Sequence, residues 1–278
     1  MVSWADNRNG DYDVYAYDLA TGMEYPMVVA AADQVAHARD GNYVVWQDMR
    51  NSPPGVPPEY TDADLYGMDL RTGQEFTICT NMYDQAEPDI SGNIVVWTDY
   101  RRGYPETCDI YGYDLSTGQE FKIAGAEGLD NSAVGHPAVS GDTAVWVDYA
   151  VPGGYALMGQ HLPTRETFVI AQPGLSLNYP DIDGRYVVWS DGRNSEDVLD
   201  LDIWGYDLLT GKEFPIYEGP GDQKFPSISG NLVVWQSYIP GETARVWGAY
   251  IPEPATGLMM MAGLAGVLVR RRRGRARV

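Results

Sequence analysis

A tryptophan that returns six times, tight glycine turns around it, and β-branched or aromatic runs between the turns predict an all-β chain, a six-bladed β-propeller. The tryptophans are Trp4, Trp46, Trp97, Trp146, Trp189 and Trp235, at intervals of 42, 51, 49, 43 and 46 residues. Four short strands repeated at such a period describe a propeller blade. A long β-sandwich would not place a Trp at the same point of every unit.

The clearest copy runs from Glu87-Pro88-Asp89-Ile90-Ser91-Gly92-Asn93 through Ile94-Val95-Val96-Trp97-Thr98-Asp99. After a loop it resumes as Asp109-Ile110-Tyr111-Gly112-Tyr113-Asp114-Leu115, then Ser116-Thr117-Gly118 and Gln119-Glu120-Phe121-Lys122-Ile123. Ser-Gly-Asn and Ser-Thr-Gly are short turns in which Gly supplies a positive φ, so each reads as a hairpin connection. One unit is thus strand A, tight turn, strand B, variable loop, strand C, tight turn, strand D, all antiparallel. The units fall near 2–30, 34–79, 85–124, 134–170, 177–217 and 223–251, with the first and last incomplete. Unit 1 lacks strand A, and unit 6 stops at strand C, Arg245 to Tyr250. A segment upstream of Met1 is therefore expected, carrying a signal peptide, the absent strand A and an outer strand that closes the ring. In unit 4, Gln160-His161-Leu162-Pro163-Thr164-Arg165 replaces the Tyr-Asp-Leu-x-Thr-Gly seen at Tyr206 to Gly211, which puts that C–D turn in question.

The hydrophobic fraction of 44% excludes a disordered acidic chain. Of 39 acidic and 19 basic residues, one and six lie beyond residue 251, so 1–251 holds 38 against 13, a net of −25. Such a body repels phosphate backbones and disfavours nucleic acid as a partner. Cations and neutral or basic ligands fit it better.

The turn before a hydrophobic strand, followed by Asp-Ile-Tyr-x-x-Asp-Leu, resembles the TolB-like propeller repeat, in which a Pro-x-x-Ser-x-(Asp/Gly) turn stands at that place, over residues 2 to about 250. That resemblance implies the fold and leaves the activity open, because such propellers host unrelated functions. Beyond this 1–251 domain, residues 252–278 form a distinct segment. Pro252-Glu253-Pro254 precedes Ala255 to Val269, 15 uncharged and mostly apolar residues, and then Arg270, Arg271, Arg272 and Arg273. The three parts resemble a PEP-CTERM sorting signal, with a short C-terminal hydrophobic helix. The resemblance implies an exosortase-type sorting protease as partner and transient membrane anchoring. It also implies export to the cell surface or beyond, the arginine flank staying inside.

Candidate chemistry is sparse. Asp6, Asp48, Asp99, Asp148 and Asp191 end strand B two residues after the Trp, with Ser237 in the sixth unit; Arg8, Arg50, Arg101 and Arg193 follow in four. These carboxylates read either as a cation-holding ring or as Arg partners and loop caps that lock blade to blade. The pairs Asp11/Asp13, Asp62/Asp64 and Asp200/Asp202 lead into strand C and are the candidate ligands for calcium. Otherwise no cofactor is expected. His37 and His136 fall on the innermost strand, where a channel enzyme would hold a base, and His161 lies in unit 4. There is no His-Glu-x-x-His, no Gly-x-Ser-x-Gly and no phosphate-binding Gly loop. Tyr60, Tyr100, Tyr149 and Tyr238 are the loop aromatics available to stack on a sugar. Cys79 and Cys108 are placed on one face of adjacent blades, and a disulfide between them is plausible in an exported protein.

The expected function is a non-catalytic surface or matrix module binding exopolysaccharide or a protein partner through the variable-loop face. The alternatives are a secreted glycan-active lyase or hydrolase working in the channel, and a purely structural surface protein.

Overall fold

The computed structural model describes residues 1–52, 62–103, 107–125, 133–174, 176–194 and 200–252. Blade 1 comprises β1 (Val2–Asp6), β2 (Asp13–Asp18) and β3 (Met23–Val28). Blade 2 comprises β4 (Gln34–Asp40), β5 (Tyr43–Asp48), β6 (Asp64–Asp69) and β7 (Gln74–Cys79). Blade 3 comprises β8 (Gln85–Ser91), β9 (Ile94–Asp99), β10 (Asp109–Asp114) and β11 (Gln119–Ala124). Blade 4 comprises β12 (Val134–Ser140), β13 (Thr143–Asp148), β14 (Tyr155–His161) and β15 (Glu166–Gly174). Blade 5 comprises β16 (Leu177–Asp183), β17 (Tyr186–Asp191), β18 (Asp202–Asp207) and β19 (Lys212–Tyr217). Blade 6 closes the series with β20 (Asp222–Ser229), β21 (Leu232–Tyr238) and β22 (Arg245–Tyr250). Within each blade the strands pair antiparallel in chain order, four in the middle blades and three at either end.

Alternation along strand B builds the core. Side chains two apart on a strand share a face, so Val95 and Trp97 pack on blade 2, while Val96 packs on blade 4. Five apolar clusters result, one at each junction from blades 1/2 to blades 5/6. Trp46, Trp97 and Trp189 are fully buried in them. Gly67, Gly112, Gly159 and Gly205 on strand C carry the rings of Phe76, Phe121, Phe168 and Phe214 from strand D, 2.6–2.8 Å from where a Cβ would stand. Only glycine leaves room for that ring.

Two devices couple the blades. At the A–B turn, a side chain of one blade accepts the turn-glycine N–H of the next: Asp40 from Gly92 (2.7 Å), Ser91 from Gly141 (3.0 Å), Ser140 from Gly184 (2.9 Å) and Asp183 from Gly230 (2.6 Å). At the opposite end, Asp-Gln dipeptides grip the residue just before strand C of the preceding blade. The Asp33 carboxylate accepts from Tyr12 N–H at 2.8 Å, and Gln34 N–H donates to Tyr12 C=O at 2.6 Å. Asp84-Gln85 holds Ala63 in the same way, and Asp222-Gln223 holds Leu201.

Two expectations are corrected here. The C–D turn of blade 4 is intact: Arg165 takes φ 58°, where Gly118 and Gly211 take 70° and 66°, and its N–H reaches His161 C=O at 2.8 Å. Cys79 and Cys108 form no disulfide. Cys79 lies in the cluster between blades 2 and 3, whereas the Cys108 thiol donates to Val134 C=O of blade 4 at 3.0 Å, so blade 3 separates them.

Candidate functional site at the channel mouth

The Trp-x-Asp-x-Arg sequence forms a closed unit inside a single blade. In blade 3 the Trp97 indole N–H donates to Asp99 at 2.8 Å, and the Arg101 N–H caps the same carboxylate at 2.9 Å. The Arg101 guanidinium pairs with Asp99 and with Glu120 of strand D, both at 2.7 Å, and lies 3.9 Å over the Tyr111 ring. Arg8, Arg50 and Arg193 repeat this with Glu24, Glu75 and Glu213. The carboxylates are thus spent on their own arginines and loop amides. They bind strands B, C and D of one blade together, and in blade 3 the set also reaches blade 2, where Arg101 donates to Cys79 Sγ at 3.5 Å. Blade 4 has no such arginine; Asp148 accepts the Ala150 N–H at 2.9 Å.

The second aspartates of the Asp-x-Asp pairs, Asp13, Asp64 and Asp202, open strand C and are buried. Asn51 donates to Asp64 at 2.7 Å, and Asn194 to Asp202 at 3.2 Å. Burial pushes both carboxyls above their ordinary range, and the amide donors partly offset it. Asp11 and Asp62 are half-buried and Asp200 is exposed. Among the described residues no three His, Cys, Asp or Glu side chains gather where they could hold a metal ion.

A different set converges on the channel. Strand A carries a β-bulge near its start in blades 2 to 6. At each bulge stands a non-glycine residue with a left-handed backbone: Ala36, Glu87, His136, Tyr179 and Phe225, φ 43–55°. Four of them precede a proline, which excludes the right-handed helical region, and the inner edge of strand A needs no ladder partner. A bulge re-aims its side chain, and here consecutive blades aim theirs at one another. His136 Nδ1 lies 2.7 Å from Glu87 Oε1, while Glu87 Oε2 accepts from the His136 N–H and the Thr98 hydroxyl, each at 3.0 Å. The His136 ring centroid is 4.9 Å from that of Tyr179, and Tyr179 is 4.3 Å from Phe225. Tyr149 stands edge-on to His136 at 6.4 Å and to Tyr155 at 4.9 Å. Burial raises the Glu87 carboxyl, but His136 and the two further donors outweigh it and hold it below the usual value. Burial and the neighbouring Glu87 charge push the Tyr149 hydroxyl far above its ordinary value, so it remains a donor.

This row opens on the variable-loop face, since Glu87 is the third residue of strand A and bonds Thr98 near the end of strand B. Of the loop aromatics named from sequence, Tyr149 belongs to the row and the half-buried Tyr100 follows Asp99. Tyr238 is 39% exposed on blade 6, bonded to Gln236. Tyr60 lies outside the described residues. His136 joins the row; His37 instead meets Ser3 of blade 1 at 2.9 Å, and His161 bonds Thr164 in its turn at 2.9 Å. Sequence reasoning missed Glu87, Tyr179 and Phe225, although the recurring X-Pro early in strand A marked all three.

Residues 251–273 match the PEP-CTERM protein-sorting motif. The fold matches TolB from Acinetobacter baumannii, at 14% identity and a TM-score of 0.58 over 90% of this chain and 65% of that one. The chain is a six-bladed propeller with a PEP-CTERM sorting motif. A putative TolB from Agrobacterium tumefaciens is similar at 14% identity and a TM-score of 0.61, covering 90% of this chain and 86% of its own. An oligogalacturonate lyase in complex with manganese has 18% identity and a TM-score of 0.60, over 87% and 72% of the two chains. A search among curated proteins finds no match. The PEP-CTERM motif marks the propeller for export, anchoring at the cell surface and processing by an exosortase. Pro252 ends the described part and is exposed. Glu253, Pro254, the hydrophobic helix and Arg270 to Arg273 lie outside it. No helix among the described residues is long and apolar enough to cross a membrane.

Proposed function

We propose that the exported propeller is a binding module whose channel mouth holds a neutral or amino-bearing exopolysaccharide. The convergence of Glu87, His136, Tyr179 and Phe225 from four consecutive blades carries this reading. Left-handed backbone at a non-glycine residue costs on the order of 1 kcal/mol, and such positions cluster at functional sites. The row pairs what a sugar needs: aromatic faces for its C–H surfaces, with Phe225 44% exposed, and fixed polar groups for its hydroxyls. A body of net charge −25 disfavours a polyanion.

Co-sedimentation of the protein with the producing cell's own surface polysaccharide tests this, with calcium and with chelator in separate runs. Saturable pelleting with unchanged polymer length supports the module, and its loss in chelator would bring calcium in as a bridging ion. Absence of pelleting would reject the glycan and leave a protein partner. One observation favours a second reading. A carboxylate 2.7 Å from an imidazole nitrogen is an orienter–base pair of the kind used for proton abstraction. Shortening of the polymer, abolished by His136→Ala, would establish a lyase or hydrolase instead.

A further inference from the structure

The end of β22 fixes where the chain leaves the propeller. β22 pairs with β21 in the register Leu232↔Tyr250, so it ends beside the A–B turn of blade 6. There the Ile251 N–H donates to Asn231 C=O at 2.7 Å, and the Asn231 amide donates to Ile251 C=O at 3.3 Å. Ile251 itself is buried in the cluster between blades 5 and 6. The exit is thus pinned to the short-turn face, opposite the variable loops and the mouth.

Three residues, Pro252-Glu253-Pro254, separate Ile251 from the apolar run Ala255 to Val269. A chain gains at most about 3.5 Å per residue, so that run begins within about 14 Å of the turn face. Proline at two of the three positions makes a stiff tether. The run holds 15 residues, fewer than the roughly 20 of a full span, so no length is left over to hold the propeller off a membrane.

The turn face is not uniform around the ring. Strand C ends on Asp18, Asp69, Asp114, His161 and Asp207 in blades 1 to 5, but on Tyr250 in blade 6, 66% exposed. Strand D opens on Gln74, Gln119, Glu166 and Lys212 in blades 2 to 5, but on Met23 in blade 1, 63% exposed. At the tip of the C–D turn stand Ala20, Arg71, Ser116 and Pro163 in blades 1 to 4, but Leu209 in blade 5, 76% exposed. The three apolar residues fall on the exit blade and the two beside it in the ring. Blades 2, 3 and 4 carry a polar group or proline at all three places. A single exposed apolar side chain is ordinary; three gathered around the exit of a membrane segment point to lipid.

We propose that this side of the turn face rests on the bilayer that the tail enters, with Met23, Leu209 and Tyr250 in the headgroup–acyl boundary. The mouth is then held outward, away from the membrane. Tyrosine, an apolar ring with a polar tip, is enriched at that boundary. The net charge of −25 on residues 1–251 gives no attraction to anionic lipid, so the contact is apolar and suits a zwitterionic surface. The orientation does not depend on what the mouth binds, so failure of the glycan reading leaves it standing.

The test places the full 278-residue protein in phosphatidylcholine vesicles that contain a lipid with a short-range quencher on its headgroup. One preparation carries a dye at Ala20→Cys on the turn face, and another at Met82→Cys on the link between blades 2 and 3; the native thiols are buried. Six-residue strands set the two faces about 20 Å apart, so quenching at position 20 should exceed that at position 82 by about threefold or more. Each apolar side chain buried in lipid shifts the docked equilibrium roughly tenfold, so Met23→Asp with Leu209→Asp should cut quenching at position 20 by about threefold or more. Both substitutions are at exposed sites; an unchanged Tm and co-flotation with the vesicles confirm a folded, inserted protein. Equal quenching of the two labels, or stronger quenching at position 82, overturns the orientation. Quenching at position 20 that the two aspartates leave unmoved overturns the lipid contact.

Discussion

Glu87 and His136 hold the same bulge position on neighbouring inner strands, and the carboxylate of one meets the ring nitrogen of the other at 2.7 Å. The carboxylate also accepts the His136 backbone N–H, so the ring is tied at both ends to the preceding blade. Replacing Phe225 by Ala, or His136 by Ala, is expected to weaken polysaccharide binding about tenfold, or about 1.4 kcal/mol. Because both side chains are partly exposed, Tm should move little. Binding isotherms beside thermal melts check this, and an equal fall in both would mean that the row is merely structural.

Asp89 sits two residues beyond that pair and accepts the Val139 N–H of blade 4 at 2.8 Å. Burial raises its carboxyl from 3.8 to about 7. A raised carboxyl means that the folded protein binds a proton the unfolded chain has released. The contribution to stability is therefore complete below pH 4 and lost as pH rises through 7. Asp89→Asn keeps an acceptor for Val139 and removes the proton. Between pH 5 and pH 8 the variant should lose about 5 °C less in Tm than the parent, as melts across that range would show.

Asp99→Ala strips the buried Trp97 indole N–H and the Arg101 guanidinium of their shared acceptor. Leaving such groups unsatisfied costs about 2–4 kcal/mol. Asp148→Ala, in the blade without the arginine, releases the Ala150 N–H and should cost about 1 kcal/mol. Urea unfolding of the two variants gives the comparison, and equal losses would contradict the unit described here.

A methyl group on Gly112 would stand 2.6 Å from the Phe121 ring. Gly112→Ala is expected to destabilise by about 1–3 kcal/mol, with Phe121→Leu in the same chain recovering part of the loss. A purely additive double-mutant cycle would show that the ring does not depend on the glycine.

Burial pushes the Cys79 thiol up to about 11 and raises that of Cys108 as well. Both thiols should resist a thiol reagent in the native state and react only on unfolding, and a reductant should leave Tm unchanged. A Tm that drops with reductant would show that a disulfide forms after all.

What the chain says by itself is whatever recurs at short range. The Trp spacing, the Gly turns and the alternation around Val95, Val96 and Trp97 specify strands, hairpins and blades, because each depends on backbone preferences and burial within one unit. The PEP-CTERM tail is equally local. The Trp97–Asp99–Arg101 set was visible as a pattern, but its meaning awaited the structure: two-residue spacing puts Trp and Asp on one side of a strand and does not say which blade supplies the partner. The mouth row was the least legible part. Glu87, His136, Tyr179 and Phe225 are four different residue types, 138 positions apart from first to last, and nothing but the radial symmetry of the blades brings them together. That Val234 and Val246 stand exposed while Val96 and Ile110 at the same places in blade 3 are buried is a property of packing alone. Short-range rules fix the repeat; which side chains meet is decided by closing the repeats around an axis.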